Sequence, residues 1–129
     1  MIALDANMLV RYFVEDDPEQ ATLARGVIED RLSSSFPGFV SLIVLVELSW
    51  VLRRVYECTA GQVAEIFSHL MSSPVIVVEQ ADQVAAALRF GCEDLADGLL
   101  HAVGQAHGCS ATVTFDRHFA KLAGVELVA

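Results

Sequence analysis

A chain of 129 residues can bury roughly two thirds of the surface it exposes when unfolded, and it reads as one domain over residues 1–129. Its 54% hydrophobic content leaves apolar surface for self-association to cover, yet the most apolar stretch, Phe39 to Leu52, is too short for a membrane span and carries Ser41, Glu47 and Ser49. The start, Met1-Ile2-Ala3-Leu4-Asp5, has no secretory character, so a cytoplasmic protein is expected, and a net charge of −9 opposes nucleic-acid binding unless clustered carboxylates hold a cation.

Ile2 to Leu4 reads as a short strand, Asp5-Ala6-Asn7 as a turn and Met8 to Val14 as a helix. Asp17-Pro18-Glu19-Gln20 is a strong helix start, with Asp as N-cap, Pro at the first helical position and Gln at the third, and this helix is expected to reach about Leu32. A polar loop from Ser33 to Gly38 precedes a short strand, Phe39-Val40, and Ser41 caps a helix from Leu42 to Tyr56. Thr59 opens another helix, to about Met71. The β-branched run Val75 to Val78 predicts a fully buried strand.

Ala81 to Phe90 is helical, and a second helix starts near Glu93 and stops at Gly108, which takes the C′ position. Ala111 to Thr114 reads as a strand, Arg117 to Ala123 as a short helix and Val125 to Val128 as an edge strand. Strands this apolar, alternating with helices, imply an α/β fold with a parallel sheet covered on both sides. Sites in such sheets form beyond the carboxyl ends of the strands.

Cys58, Cys92 and Cys109 are odd in number and widely spaced, so they read as buried free thiols. The acids are more informative. Asp5 follows the first strand directly, Asp116 lies two residues past Thr114, and Asp97 sits near a helix start close to the strand ends. Glu47 interrupts an apolar run, where an isolated buried carboxylate would cost several kcal/mol and calls for a cation. Each has a plainer reading as well: Asp5 as a helix cap, Asp94 as first-turn charge, Asp116 as an Asx-turn residue, and Glu47 as the partner of Arg53 or Arg54.

Leu4-Asp5-Ala6-Asn7 with Leu9, Leu45-Val46-Glu47-Leu48, Asp94-Leu95-Ala96-Asp97-Gly98-Leu99 and Thr114-Phe115-Asp116-Arg117-His118-Phe119 together resemble, in order and spacing, the motifs of PIN-domain ribonucleases of the VapC toxin type. The resemblance covers essentially the whole chain. It implies a three-layer α/β/α fold with a central, mainly parallel sheet, and Mg²⁺- or Mn²⁺-dependent cleavage of RNA. It also implies a homodimer and a small VapB-like antitoxin as partner. Asp5, Glu47, Asp97 and Asp116 would be the catalytic, metal-holding residues, with Asn7, Thr114 and Asp94 in support. Gly98 stands where the family often has Ala.

Hard divalent cations take oxygen ligands, which a carboxylate cluster supplies. Arg117 and Lys121, four apart after Asp116, are the candidate RNA contacts, and His101, four residues after Asp97, reads as packed and hydrogen-bonded rather than as a base. Two other functions fit parts of the pattern. A receiver-like signalling domain also gathers acids and Mg²⁺ at strand ends, but it needs a phosphoacceptor Asp after a middle strand and a lysine after a later one, whereas Val75 to Val78 ends in Glu79 and the only lysine is Lys121. A catalytically silent PIN fold used as a binding module is the other, and four intact acids argue against it.

Overall fold

The computed structural model describes residues 1–129, and the chain divides into two compact units, Met1–Ala81 and Asp82–Ala129. The first unit runs β1 (Ile2–Ala3), α1 (Ala6–Phe13), α2 (Pro18–Arg25), β2 (Gly38–Val40), α3 (Leu42–Arg54), α4 (Ala60–Ser72) and β3 (Ile76–Val78). Its three strands are parallel, in the order β1-β2-β3, with Ile2 opposite Gly38 and Gly38 opposite Ile76. Leu9, Val40, Leu45, Leu48, Leu52, Val63 and Phe67 form its buried core.

The helix starts obey local chemistry. Asp17 accepts from the Gln20 amide with Pro18 in the first turn, Ser41 accepts from the Val44 amide, and Thr59 and Gln62 form a reciprocal capping box. The helix begun at Pro18 does continue to Arg31, but its last six residues, Gly26–Arg31, widen into a π-turn that closes with the Leu32 amide on the Val27 carbonyl at 3.1 Å. Periodicity alone does not separate the two windings.

The second unit holds most of α5 (Ala81–Phe90), then α6 (Leu95–Ala106), β4 (Thr112–Thr114) and β5 (Val125–Leu127), the two strands pairing in parallel. Gly108, at φ +82°, sits just past His107, the C-cap of α6, as its place in the sequence required. Gly98 has a packing reason: a Cβ there would lie 3.3 Å from the Ala87 carbonyl, so glycine lets α6 approach α5 closely. His101 is buried and ties three segments together. Its Nε2 donates to the Ala123 carbonyl at 3.2 Å, leaving Nδ1 to accept from the Thr112 hydroxyl at 2.7 Å. With both nitrogens spent on structure, the ring is not a proton acceptor for Asp97.

Three expectations are corrected. Val77, in the middle of β3, is exposed rather than buried, because only alternate side chains of a strand face its core. The helix expected from Arg117 to Ala123 shrinks to one 3₁₀ turn, Phe119–Lys121. Cys58 and Cys92 are half-buried and Cys109 is exposed, so no thiol is fully enclosed. The apolar surplus shows on the surface instead, at Leu23, Ile43, Trp50 and Val55 in the first unit and Leu100, Val113 and Phe115 in the second. No helix is long and apolar enough to cross a membrane.

Gly124 supplies a test of the His101 arrangement. Its φ is +85°, and an added Cβ would press on the imidazole at 3.1 Å. Gly124→Ala is expected to cost about 2 kcal/mol through backbone strain and displacement of the ring. Gly26→Ala, at φ −59° with open space around the new methyl, is expected to be neutral or to stabilise by about 0.5 kcal/mol. Urea denaturation of the two variants checks the contrast in sign.

Candidate active site

In a parallel α/β chain each strand hands over to a helix whose first amides have no partner within the helix. Asp5 meets that need after β1: its Oδ1 accepts from the Met8 amide at 2.8 Å, which makes it the N-cap of α1. The carboxylate is exposed and borders an apolar groove of about 270 Å³ together with Asn7, Met8, Arg11 and Leu23. Asn7, the proposed support, lies one residue into α1 and is likewise exposed.

Glu47 is where the sequence argument fails on its physics. The side chain is exposed on α3, on the outward stripe that also carries Ile43 and Trp50, so no burial cost has to be offset by a cation. The apolar neighbours that suggested burial are distributed around the helix, whose buried residues are Leu45, Leu48, Ser49 and Leu52. Arg53 donates to the Cys58 carbonyl at 3.2 Å and Arg54 lies over the Trp50 ring at 5.4 Å. The place of Glu47 in the motif order is independent of its burial.

The second unit brings Asp94, Asp97 and Asp116 within mutual influence. Burial first, then the charges of Asp94 and Asp116, hold the Asp97 carboxyl above the ordinary aspartate range. Asp94 is the N-cap of α6, its Oδ1 accepting from the Ala96 amide at 3.0 Å. Asp116 is fixed by the loop after β4: its amide donates to Thr114 Oγ1 at 3.0 Å, and its Oδ1 accepts from the His118 amide at 2.8 Å and the Phe119 amide at 3.1 Å. Thr114 thus supports Asp116 directly. One oxygen of Asp116 is thereby held in place by two backbone amides.

Beside Asp97 lies a cavity of about 210 Å³, bordered by Asp94, His118 and Lys121 on its polar side. Lys121 reaches it and Arg117 does not, because the short 3₁₀ turn begins after Arg117 and the two residues no longer share a helical face. Cys92 also borders it, and burial, then Asp97 and Asp94, push its thiol up, away from the thiolate a nucleophile would need.

Two further carboxylates make contacts that the sequence pattern does not reveal. Glu79, directly after β3, reaches the start of α3, where its Oε1 accepts from the Leu42 amide at 2.8 Å. Glu93 pairs with His118 Nε2 at 3.6 Å. The position of Glu79 just past an apolar strand, like that of Asp5, was the available signal.

The donor set suits a hard cation, being all carboxylate oxygen, and a positive charge near Asp97 would relieve the opposition of its neighbours. Within neither unit do three or more His, Cys, Asp or Glu side chains close around an ion by themselves. A cation of the Mg²⁺ kind keeps several waters and binds through one or two carboxylates, so an open arrangement is compatible with it.

The raised Asp97 pKa has a stability consequence. Where an acid titrates higher in the folded state, that state binds more protons across the window between the two pKa values, so stability falls as pH rises through it and the penalty is complete above the folded pKa. Asp97→Asn removes the penalty. Without divalent ions, the variant is expected to melt a few degrees above wild type at neutral pH, the gap closing once pH falls below the ordinary aspartate range. Thermal melts across that range check it.

Comparison with curated proteins returns no match. A family model for the PIN domain matches residues 2–125. That match runs through both units and takes in each of the acids described above, and the helices and parallel strands are those of a three-layer α/β/α PIN-like fold. The chain belongs to the PIN domain family, whose members are generally nucleases.

Proposed function

We propose that this chain is a single PIN domain over residues 1–129 that hydrolyses phosphodiester bonds of RNA as a Mg²⁺- or Mn²⁺-dependent endoribonuclease. We read it as the cytoplasmic VapC-like toxin of a type II toxin–antitoxin system, held in check by a VapB-like antitoxin. The observation that carries the nuclease reading is the convergence of Asp94 and Asp116 on the Asp97 carboxyl, in a chain of the PIN family. The toxin and antitoxin roles rest on the resemblance of the four motifs.

Asp5, Asp97, Asp116 and, by motif order, Glu47 would hold the cation. When bound, it supplies Lewis acidity beside the scissile phosphate and offsets the carboxylate charge that would otherwise repel it. Asp116 presents a fixed oxygen because three contacts define its loop. Asp94 orients α6 through its cap.

Phosphate binding has few cations to draw on. Arg11 is taken up by Gln20, Asp16 and Tyr56, at 2.7, 2.9 and 3.1 Å, and Arg25 pairs with Glu15. Lys121 borders the same cavity as Asp97, which Arg117 does not, and is the stronger of the two proposed RNA contacts.

With Mg²⁺ or Mn²⁺, wild type is expected to cut single-stranded RNA, while Asp5→Asn and Asp97→Asn lose about a hundredfold or more of the rate. The cation should also raise the melting temperature of wild type and not that of Asp97→Asn. Glu47→Gln is expected to lower cleavage while leaving the melting temperature unchanged, since the side chain is exposed. Sequencing of RNA ends and calorimetric titration with the metal check these outcomes. No cleavage by folded, metal-saturated wild type would leave a silent binding module.

A homodimer is the further part of this proposal. Leu23, Ile43, Trp50 and Val55 leave large apolar surface on the first unit, at the helices begun by Asp17 and Ser41. Sedimentation at micromolar concentration should give twice the chain mass, and Ile43→Lys should shift it toward the monomer.

A further inference from the structure

The cavity beside Asp97 has apolar wall residues that the hydrolysis of a phosphodiester does not need: Phe90, Phe119 and Leu122 line it together with Asp94 and Lys121. Phe119 is buried, which makes this wall a fixed part of the second unit's core, and Phe90 is braced from behind by the His101 ring at 5.5 Å. Glu93 and His118, paired at 3.6 Å, link the loop before α6 to the loop after β4 along its border. Gly91, at φ +67°, makes the turn by which the chain leaves Phe90 and comes back along the cavity as Cys92 and Glu93.

A flat heterocycle has the matching chemistry. Its faces are apolar enough to lie against aromatic and aliphatic side chains, and its edge carries N–H groups that carboxylates accept. A phosphate alone would leave the Phe90 and Leu122 wall unused, and an aliphatic ligand would leave Asp94 and Lys121 without partners. Lys121, the chain's single lysine, stands where the phosphate attached to such a heterocycle can be met.

We propose that this cavity is a base-binding subsite. It takes the nucleobase next to the cleaved phosphate, with Phe90 and Leu122 against its face, Asp94 or Glu93 accepting from its exocyclic N–H donors, and Lys121 on the adjoining phosphate. It favours bases that present an amino group, so adenine, cytosine and guanine bind in preference to uracil. The subsite deepens the nuclease reading and rests on it for its place in the reaction, but occupancy by a base is separable from cleavage.

The test uses neutral ribonucleosides, which carry no phosphate and need no catalysis. Titrating the full chain with adenosine, cytidine, guanosine and uridine at millimolar concentration should produce saturable amide shifts at Cys92, Lys121 and Leu122, weakest with uridine. Leu122→Trp, which fills the cavity from its half-exposed rim, should abolish those shifts and raise KM for RNA by about tenfold with kcat little changed, the pattern of lost binding rather than lost chemistry. Absence of shifts at these amides with every nucleoside in wild type overturns the subsite, as does an unchanged KM in a folded Leu122→Trp. If wild type binds nucleosides there and cuts no RNA, the subsite stands and the nuclease reading falls.

Discussion

Each of the first four strands ends where a helix or a turn must begin, and the unpaired amides at that junction demand an oxygen acceptor. Asp5 answers it after β1, Ser41 after β2 and Asp116 after β4, while Glu79, just past β3, reaches across to the start of α3. Asp94 does the same for α6. The capping requirement therefore stations acids at the carboxyl ends of parallel strands before any catalytic demand is considered. A cap uses one carboxylate oxygen. In the proposed site the other would serve a cation or a substrate, so that a structural necessity and a hydrolytic role would share residues.

Charge sets the second constraint. With 17 acids against eight Lys and Arg, the surface gives RNA little general attraction, and several arginines are spent on Gln20, Asp16, Tyr56, Glu15 and the Trp50 ring. In the proposed function binding is local, through a cation among the carboxylates and through Lys121 at the cavity that Asp97 also borders. The same crowding that raises the Asp97 pKa destabilises the folded chain at neutral pH when no cation is present. Stability and metal affinity are two sides of one electrostatic arrangement.

Much of the frame is written in short-range signals. The caps Asp17, Ser41 and Thr59, the stop at Gly108 and the succession of apolar strands and helices are local chemistry, and they reappear in the structure within a residue or two. The proposed acids were legible for a related reason. A carboxylate just past an apolar run is an anomaly of composition, visible without knowing what it faces, and Asp5 and Asp116 both show it. Glu79 shows it too, yet its contact with the Leu42 amide links residues 37 positions apart, a distance that no local pattern spans.

What the sequence by itself determined is therefore the order of elements, their caps and the identity of the acids, because each depends on neighbours a few residues away. Only the tertiary structure decided which way the side chains turn and which of them meet. It turned Glu47 outward, because the apolar residues around it divide between two faces of α3, and only the packing of that helix selects the face that is buried. It separated Lys121 from Arg117 by shortening their helix to one turn, and it brought Lys121 to the cavity that Asp97, 24 positions earlier in the chain, also borders. It spent both nitrogens of His101 on Thr112 and Ala123, and it showed Gly98 to be an allowance for the close approach of Ala87. Burial, pairing and the pKa of Asp97 belong to distances between segments, and those exist only once the chain has folded.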